Sequence, residues 1–231
     1  MSEHIALLSE DIKKKKIVLF LGSGFAYNAL HPQSKKPPLG KELGNLLSER
    51  FLNGNYKDSP LSFISDLAIS QSNLFDVQEY IHSVFYDFSP TKNHLKYASL
   101  PWKAIFTTNY DLILEKSFKE LGIKTIQDLS VVYRNTPEQQ IFKTPNTVPY
   151  FKLHGCISYI NDQNLPLILS SEQYLTHLLN RERLFKKFEE LASDYSIIFI
   201  GYSNQDHNIR AILQKLEALK SARPRSYMVS P

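Results

Sequence analysis

Four short apolar runs, each cut off by glycine or a cluster of polar side chains, constrain the fold of this chain more than any other feature. Ile17 to Leu21 ends at Gly22-Ser23-Gly24, and Ala104 to Thr107 runs into Thr108-Asn109-Tyr110-Asp111. Val148 to Leu153 ends at His154-Gly155, and Ser196 to Ile200 runs into Gly201-Tyr202-Ser203-Asn204-Gln205-Asp206. Continuous runs of this length, rich in β-branched and aromatic residues, are the signature of strands buried on both faces. Helical spacings fill the intervals, so the chain predicts an α/β fold: a Rossmann-like, mostly parallel sheet with helices on both faces. The strands of such a sheet end along one edge, which brings four motifs distant in sequence to one crevice.

Residues 2–15, with Leu7, Leu8 and Ile12 at helical spacing, predict an amphipathic helix. After Gly24, the stretch holding His31, Pro32, Pro37 and Pro38 is too rich in breakers for a regular element and suits a loop that closes on a ligand. Residues 40–52, 61–69 and 75–85 read as three helices separated by turn-forming stretches. They imply a small helical lobe inserted after the first strand, over about residues 40–98, longer than a simple crossover requires. Further on, a helix is expected after Asp111 to about Leu121, a short strand at residues 166–169, and one or two helices over 171–194 capped by Ser171. A helix over 206–219 and a last strand at residues 227–229 complete the reading. Residues 1–231 are expected to form a single domain, and because no covering helix follows the last strand, the N-terminal part of a longer protein.

With 42% hydrophobic residues the chain can bury one substantial core. No apolar run approaches the roughly 20 residues needed to cross a bilayer, and the polar start with Lys13 to Lys16 is unlike a cleavable signal. A cytoplasmic protein without a membrane partner is expected. Cys156 is the single cysteine, which excludes an intramolecular disulfide and a thiolate-rich zinc site, and no metal is expected. Cys156 itself reads as a small buried hydrophobe rather than a nucleophile. The net charge of +4 is spread along the chain, so direct nucleic-acid binding is not indicated. Lys13 to Lys16, and Arg181, Arg183, Lys186 and Lys187, suit a solvated face or else a partner or anionic ligand.

Gly22 and Gly24 let the backbone turn sharply and approach a phosphate, and a tight strand-to-loop turn is the other reading of them. The segment GSGFAYNA lacks both the third glycine of a dinucleotide fingerprint and the GK[ST] ending of a P-loop, which disfavours a dehydrogenase and a nucleoside triphosphatase. Asn109 suits a helix cap as well as a polar site. His154 suits a satisfied core histidine as well as a general base with an ordinary pKa near ~6.5. The other six histidines suit surface or packing roles.

Taken together the motifs resemble the sirtuin superfamily, and most closely its prokaryotic sirtuin-like domains of anti-phage defence proteins. The glycine loop at Gly22-Ser23-Gly24, T-x-N-x-D at Thr107 to Asp111, K-L-H-G at Lys152 to Gly155 and G-x-S at Gly201 to Ser203 with Asp206 downstream carry the resemblance. It spans about residues 16 to 210. It implies NAD+ as substrate, Asn109 and His154 as the catalytic pair, and phosphates cradled by Gly22, Ser23 and Gly24. Asp111 would support the ribose pocket, and Gly201 and Ser203 would lie near the adenosine half. Thr107 and Asp206 complete the implied cofactor-binding set.

Deacylating sirtuins generally carry a zinc ribbon of four cysteines, whereas this chain has one cysteine and a helical insertion. The resemblance therefore implies an NAD+ hydrolase releasing nicotinamide and ADP-ribose, the effector domain of an anti-phage protein that depletes NAD+. It also implies a C-terminal sensor or assembly region and a homo-oligomer or larger defence complex. Ser23 stands where alanine is usual and Thr108 where glutamine is usual in classical sirtuins; both occur in the defence-type pattern, and the second, at the nicotinamide end of the pocket, departs from classical deacylase geometry. A deacylase and a non-catalytic NAD+ or ADP-ribose sensor are the other two readings.

Overall fold

Burial on both faces, written into the apolar runs, is what the sheet delivers. The computed structural model describes residues 3–218 and 224–229. Six strands, β1 (Ile17–Leu21), β2 (Ala104–Thr107), β3 (Asp128–Val132), β4 (Thr147–Lys152), β5 (Ser196–Ile200) and β6 (Ser226–Val229), form one sheet in the order β3-β4-β2-β1-β5-β6. Every neighbouring pair is parallel. All five residues of the central strand β1 are buried.

The pleat divides β1 between two cores. Ile17, Leu19 and Leu21 face one side, where α1 (Glu3–Lys13) packs through Leu8 and Ile12, while Val18 and Phe20 face the other. Between β1 and β2 the chain builds α2 (Gly40–Phe51), α3 (Leu61–Gln71), α4 (Leu74–Phe85) and α5 (Lys92–Ala98). The first three enclose a separate small core around Leu47, Ile64, Val77 and Ile81, which is the helical lobe. It meets the sheet domain through Tyr110, Ile157 and Leu167.

The remaining helices are α6 (Ile113–Leu121), α7 (Glu138–Ile141), α8 (Ser171–Leu175), α9 (Glu182–Asp194) and α10 (His207–Ala218). Helix α9 buries Leu184, Phe185, Phe188, Leu191 and Ala192, a stripe at helical spacing that lands on Phe20 and Phe106. Each such large side chain contributes about 1.5–3 kcal/mol when fully buried.

The structure departs from the sequence reading in places. Residues 166–169 form no strand, because Pro166 offers no amide and the following groups bond individually: Leu167 N–H to Gln78 Oε1 and Ile168 N–H to the His154 carbonyl. Ser170 rather than Ser171 caps α8, in a reciprocal box with Gln173. Arg181 is buried, not solvated, and its guanidinium donates to the Pro166 carbonyl. Strand β3 and helices α5 and α7 are additions to the expected elements. The outer residues Ser2 and Leu219 of two expected helices lie outside the described residues.

Candidate active site

The loops after β1 and β5 touch backbone to backbone. Gly22 N–H donates to the Ile200 carbonyl and Gly24 N–H to the Gly201 carbonyl, each at 2.9 Å. A Cβ on Gly22 would sit 2.5 Å from the Gly201 oxygen, and one on Gly201 would sit 2.2 Å from the Phe25 nitrogen. Gly201 also has φ +62, a left-handed conformation that favours glycine. Close approach of two loops thus requires these glycines before any ligand is considered. Behind them, buried His94 sets Nε2 2.8 Å from the Phe25 carbonyl while its Nδ1 accepts from Thr91 N–H.

The end of β2 is tied into the same junction. Thr107 Oγ1 donates to the Leu21 carbonyl at 2.8 Å and accepts the Asn109 N–H at 2.9 Å. The Asn109 side-chain amide donates to the Gly22 carbonyl at 2.8 Å, which leaves its Oδ1 as the free acceptor. Asn109 is not the cap of α6. Leu112 holds the cap position without a side-chain cap bond, and Asp111 Oδ1 accepts the Ile113 N–H at 2.9 Å from one residue further back.

From β4 comes Lys152, fully buried, 2.8 Å from Glu115 Oε1 and donating to the Asp111 carbonyl. Burial opposes its charge, but Cys156, Glu115 and Tyr150 around it carry the balance upward, above the ordinary lysine value. The lysine thereby clamps β4 to the turn that carries Asn109 and Asp111. Cys156, next to this pair, is buried.

His154 is 2% exposed, and its Nε2 lies 3.2 Å from Asp206 Oδ2 without the alignment of a hydrogen bond. Burial pushes its pKa down to about 4, against the pull of Asp206 and with Arg181 and His177 adding to the depression. The ring is therefore neutral near pH 7, able to accept a proton but not to donate one as a cation. The Tyr174 ring meets it edge-on at 5.4 Å. Asp206 Oδ1 accepts the Ile209 N–H at 2.9 Å and so begins α10.

Burying a neutral histidine has a measurable consequence. The unfolded chain takes up a proton at its ordinary 6.5 and the folded chain only near 4, so stability is complete above 6.5 and is lost as pH falls through that window. The loss attributable to His154 is about 3 kcal/mol. Urea unfolding at pH 7 and pH 4.5 should show it, and a His154→Gln variant should have a clearly shallower dependence. Equal slopes in the two proteins would mean that His154 is not held neutral.

These ends enclose a cleft of about 220 Å³. Of the ten residues singled out in the sequence, Ser23, Asn109, Asp111, His154, Ser203 and Asp206 line it. Gly22, Gly24, Thr107 and Gly201 stand behind as the junction just described. Three tyrosine rings that sequence reading did not assign, Tyr110, Tyr174 and Tyr202, line the cleft as well, and Leu39, Leu43 and Phe85 close it from the side of the lobe. No lysine or arginine is among the lining residues, so a phosphate here would be met by backbone amides and hydroxyls. Among the described residues no group of three His, Cys, Asp or Glu side chains could hold a metal ion. Among them, too, no helix is long and apolar enough to cross a membrane.

A family model described as SIR2-like domain matches residues 103–231. A protein named NAD(+) hydrolase ThsA from Enterococcus faecium is 30% identical over 131 residues, 54% of this chain and 25% of that protein. Its namesake from Acinetobacter baumannii (strain 532279) is 27% identical over 129 residues, 55% of this chain and 24% of that protein. Defense-associated sirtuin 2 of Bacillus subtilis is 22% identical over 220 residues, 94% of this chain but 21% of its own length. The chain thus spans about a quarter of the length of these relatives.

Proposed function

This chain belongs to the SIR2-like domain family, and on that premise we propose that it is an NAD+ hydrolase, the effector domain of an anti-phage defence protein. It cleaves the nicotinamide–ribose bond and releases nicotinamide and ADP-ribose. The observation that carries this reading is the convergence of Asn109, His154 and Asp206 from three separate strand ends on one cleft. The names of the relatives, NAD(+) hydrolase and defence-associated sirtuin, support the substrate and the setting.

Nicotinamide leaves NAD+ as a neutral base, so the barrier is governed by positive charge developing on the ribose. A strong nucleophile is not needed. The protein has to orient the sugar, place the charge of Asp206 where it helps, and accept one proton. Asn109 holds a ribose hydroxyl or a water through Oδ1, and neutral His154 accepts the proton, a contribution typically worth ~10²–10⁴ in rate. Ser23, with Gly22 and Gly24 behind it, receives the phosphates, Asp111 supports the ribose pocket, and Gly201 and Ser203 flank the adenosine half. Thr107 belongs to the same set through the junction it bonds. The domain works in the cytoplasm, within a longer chain whose C-terminal part senses or assembles, as a homo-oligomer or larger complex.

Incubation of the full-length protein with NAD+, following free nicotinamide, tests the reading. Release without any acylated peptide is expected. Release only with an acyl-lysine peptide would make the protein a deacylase, and tight binding without turnover would make it a sensor.

A further inference from the structure

The ladder between β2 and β4 ends where Leu153 N–H donates to the Thr107 carbonyl at 2.9 Å. Beyond that bond the two chains stop pairing, and the turns that follow carry Asn109 and His154. A ladder does not fix the distance between groups that lie past its end. Here the missing rung comes from elsewhere in the chain. Ile168, fully buried, donates its N–H to the His154 carbonyl at 3.0 Å and accepts the Tyr110 hydroxyl on its own carbonyl at 2.6 Å. Tyr110 directly follows Asn109, so a single residue joins the two halves of the catalytic pair.

Both partners of this rung are held. The Tyr110 carbonyl accepts the Ile157 N–H at 3.1 Å, which ties the same turn to the chain just after His154. Burial raises the Tyr110 phenol above its ordinary pKa, so the hydroxyl stays a donor. On the other side, Gln78 of α4 accepts the Leu167 N–H at 2.7 Å and donates to the Ile160 carbonyl at 3.1 Å. Arg181 donates to the Pro166 carbonyl at 2.5 Å. Residues 166–169 are therefore anchored immediately before the bridging Ile168, by one side chain from the helical lobe and one from the start of α9.

Resting on the hydrolase reading, we propose that Tyr110 is a positioning residue, which through the Ile168 backbone holds Asn109 and His154 at the spacing that hydrolysis requires. Asn109 orients a hydroxyl or a water and His154 accepts the proton, so each is useful only while the other is in reach. Misplacement by about 1 Å can cost ~10²-fold in rate. The Tyr110 hydroxyl is already committed to Ile168, so it acts on the pair rather than on NAD+ itself. Loss of that hydroxyl should therefore slow turnover and leave binding alone. Gln78 reaches the same bridge through Leu167, which makes the packing of the lobe part of the geometry of the pair.

Tyr110→Phe in the full-length protein is the discriminating variant, since it keeps the ring and removes only the hydroxyl. Gln78→Met is the second, and Gln127→Met is its matched control. Gln127 is equally buried and bonds the Trp102 N–H at 2.7 Å and the Trp102 carbonyl at 3.0 Å, but it lies at the far end of β2. NAD+ turnover, ADP-ribose affinity by calorimetry and thermal melts are measured for all three. For Tyr110→Phe and Gln78→Met we expect kcat to fall about tenfold, with KM within about twofold and ADP-ribose affinity retained. Gln127→Met should melt as low as Gln78→Met with kcat within about twofold of wild type. An unchanged kcat in Tyr110→Phe, a rise in KM alone, or an equal loss of kcat in Gln127→Met would each overturn the positioning role while leaving the hydrolase reading intact. Should Tyr110→Phe not fold, the comparison of Gln78→Met with Gln127→Met decides by the same criteria. If the wild-type protein releases no nicotinamide from NAD+, the hydrolase reading fails and this inference fails with it.

Discussion

His154→Ala and Asn109→Ala are each expected to lower nicotinamide release from NAD+ by about 10²-fold or more, the first by removing the positioned proton acceptor and the second by releasing the hydroxyl or water that Asn109 orients. The two should differ in what else they disturb. His154 Nε2 makes no hydrogen bond in the folded protein, so its removal leaves no partner stranded. Asn109 donates to the Gly22 carbonyl, and truncating it leaves that buried oxygen unpaired, at about 1–3 kcal/mol. Thermal melts should therefore separate the variants even where activity does not, with Asn109→Ala melting lower. Near wild-type release by either variant, in a protein that still folds, would remove that residue from the catalytic pair.

Gly201→Ala should be the most damaging small change to the fold. The added methyl would meet the Phe25 nitrogen at 2.2 Å and Gly24 C at 2.4 Å, and these are backbone atoms that cannot swing aside. The left-handed φ of +62 adds its own penalty, and together the two effects cost about 3 kcal/mol or more. Gly122 is the natural control, with φ +53 but no atom within 4 Å of its Cβ position. Gly122→Ala, at φ +53 and ψ −123 but in open space, should lose only the conformational part, about 1–3 kcal/mol. Urea midpoints of the two variants measure the difference directly. If they were equal, contact between the strand-end loops would contribute nothing.

The four apolar runs were legible because strands buried on both faces leave an unbroken signal, and the three helices of the lobe because each buries a single stripe. β3 escaped notice because an edge strand is only partly buried, and Asp-Leu-Ser-Val-Val mixes polar with apolar residues. Residues 166–169 misled for the opposite reason: Leu167, Ile168 and Leu169 are buried, yet against the lobe and the His154 carbonyl rather than in the sheet. Burial alone does not distinguish a strand from a packed loop. At the site, motif order brought six residues to the cleft. It could not separate ligand contacts from scaffolding, since a glycine needed by a neighbouring backbone looks like one needed by a phosphate. Tyr110, Tyr174 and Tyr202 went unassigned because tyrosines in a chain with 13 of them carry no signal until their hydroxyls are located.

The contact between Gly22, Gly24 and Gly201 also sets the mechanical character of the cleft. A floor made of two loops locked by paired amides and carbonyls has little compliance, and the Lys152 clamp stiffens the turn after β2 in the same way. The opposite wall is of another kind: Leu39 and Leu43 at the start of α2, and Phe85 at the end of α4, belong to a lobe with a core of its own. One wall of the cleft is thus fixed by backbone contact and the other by an independently packed helical lobe.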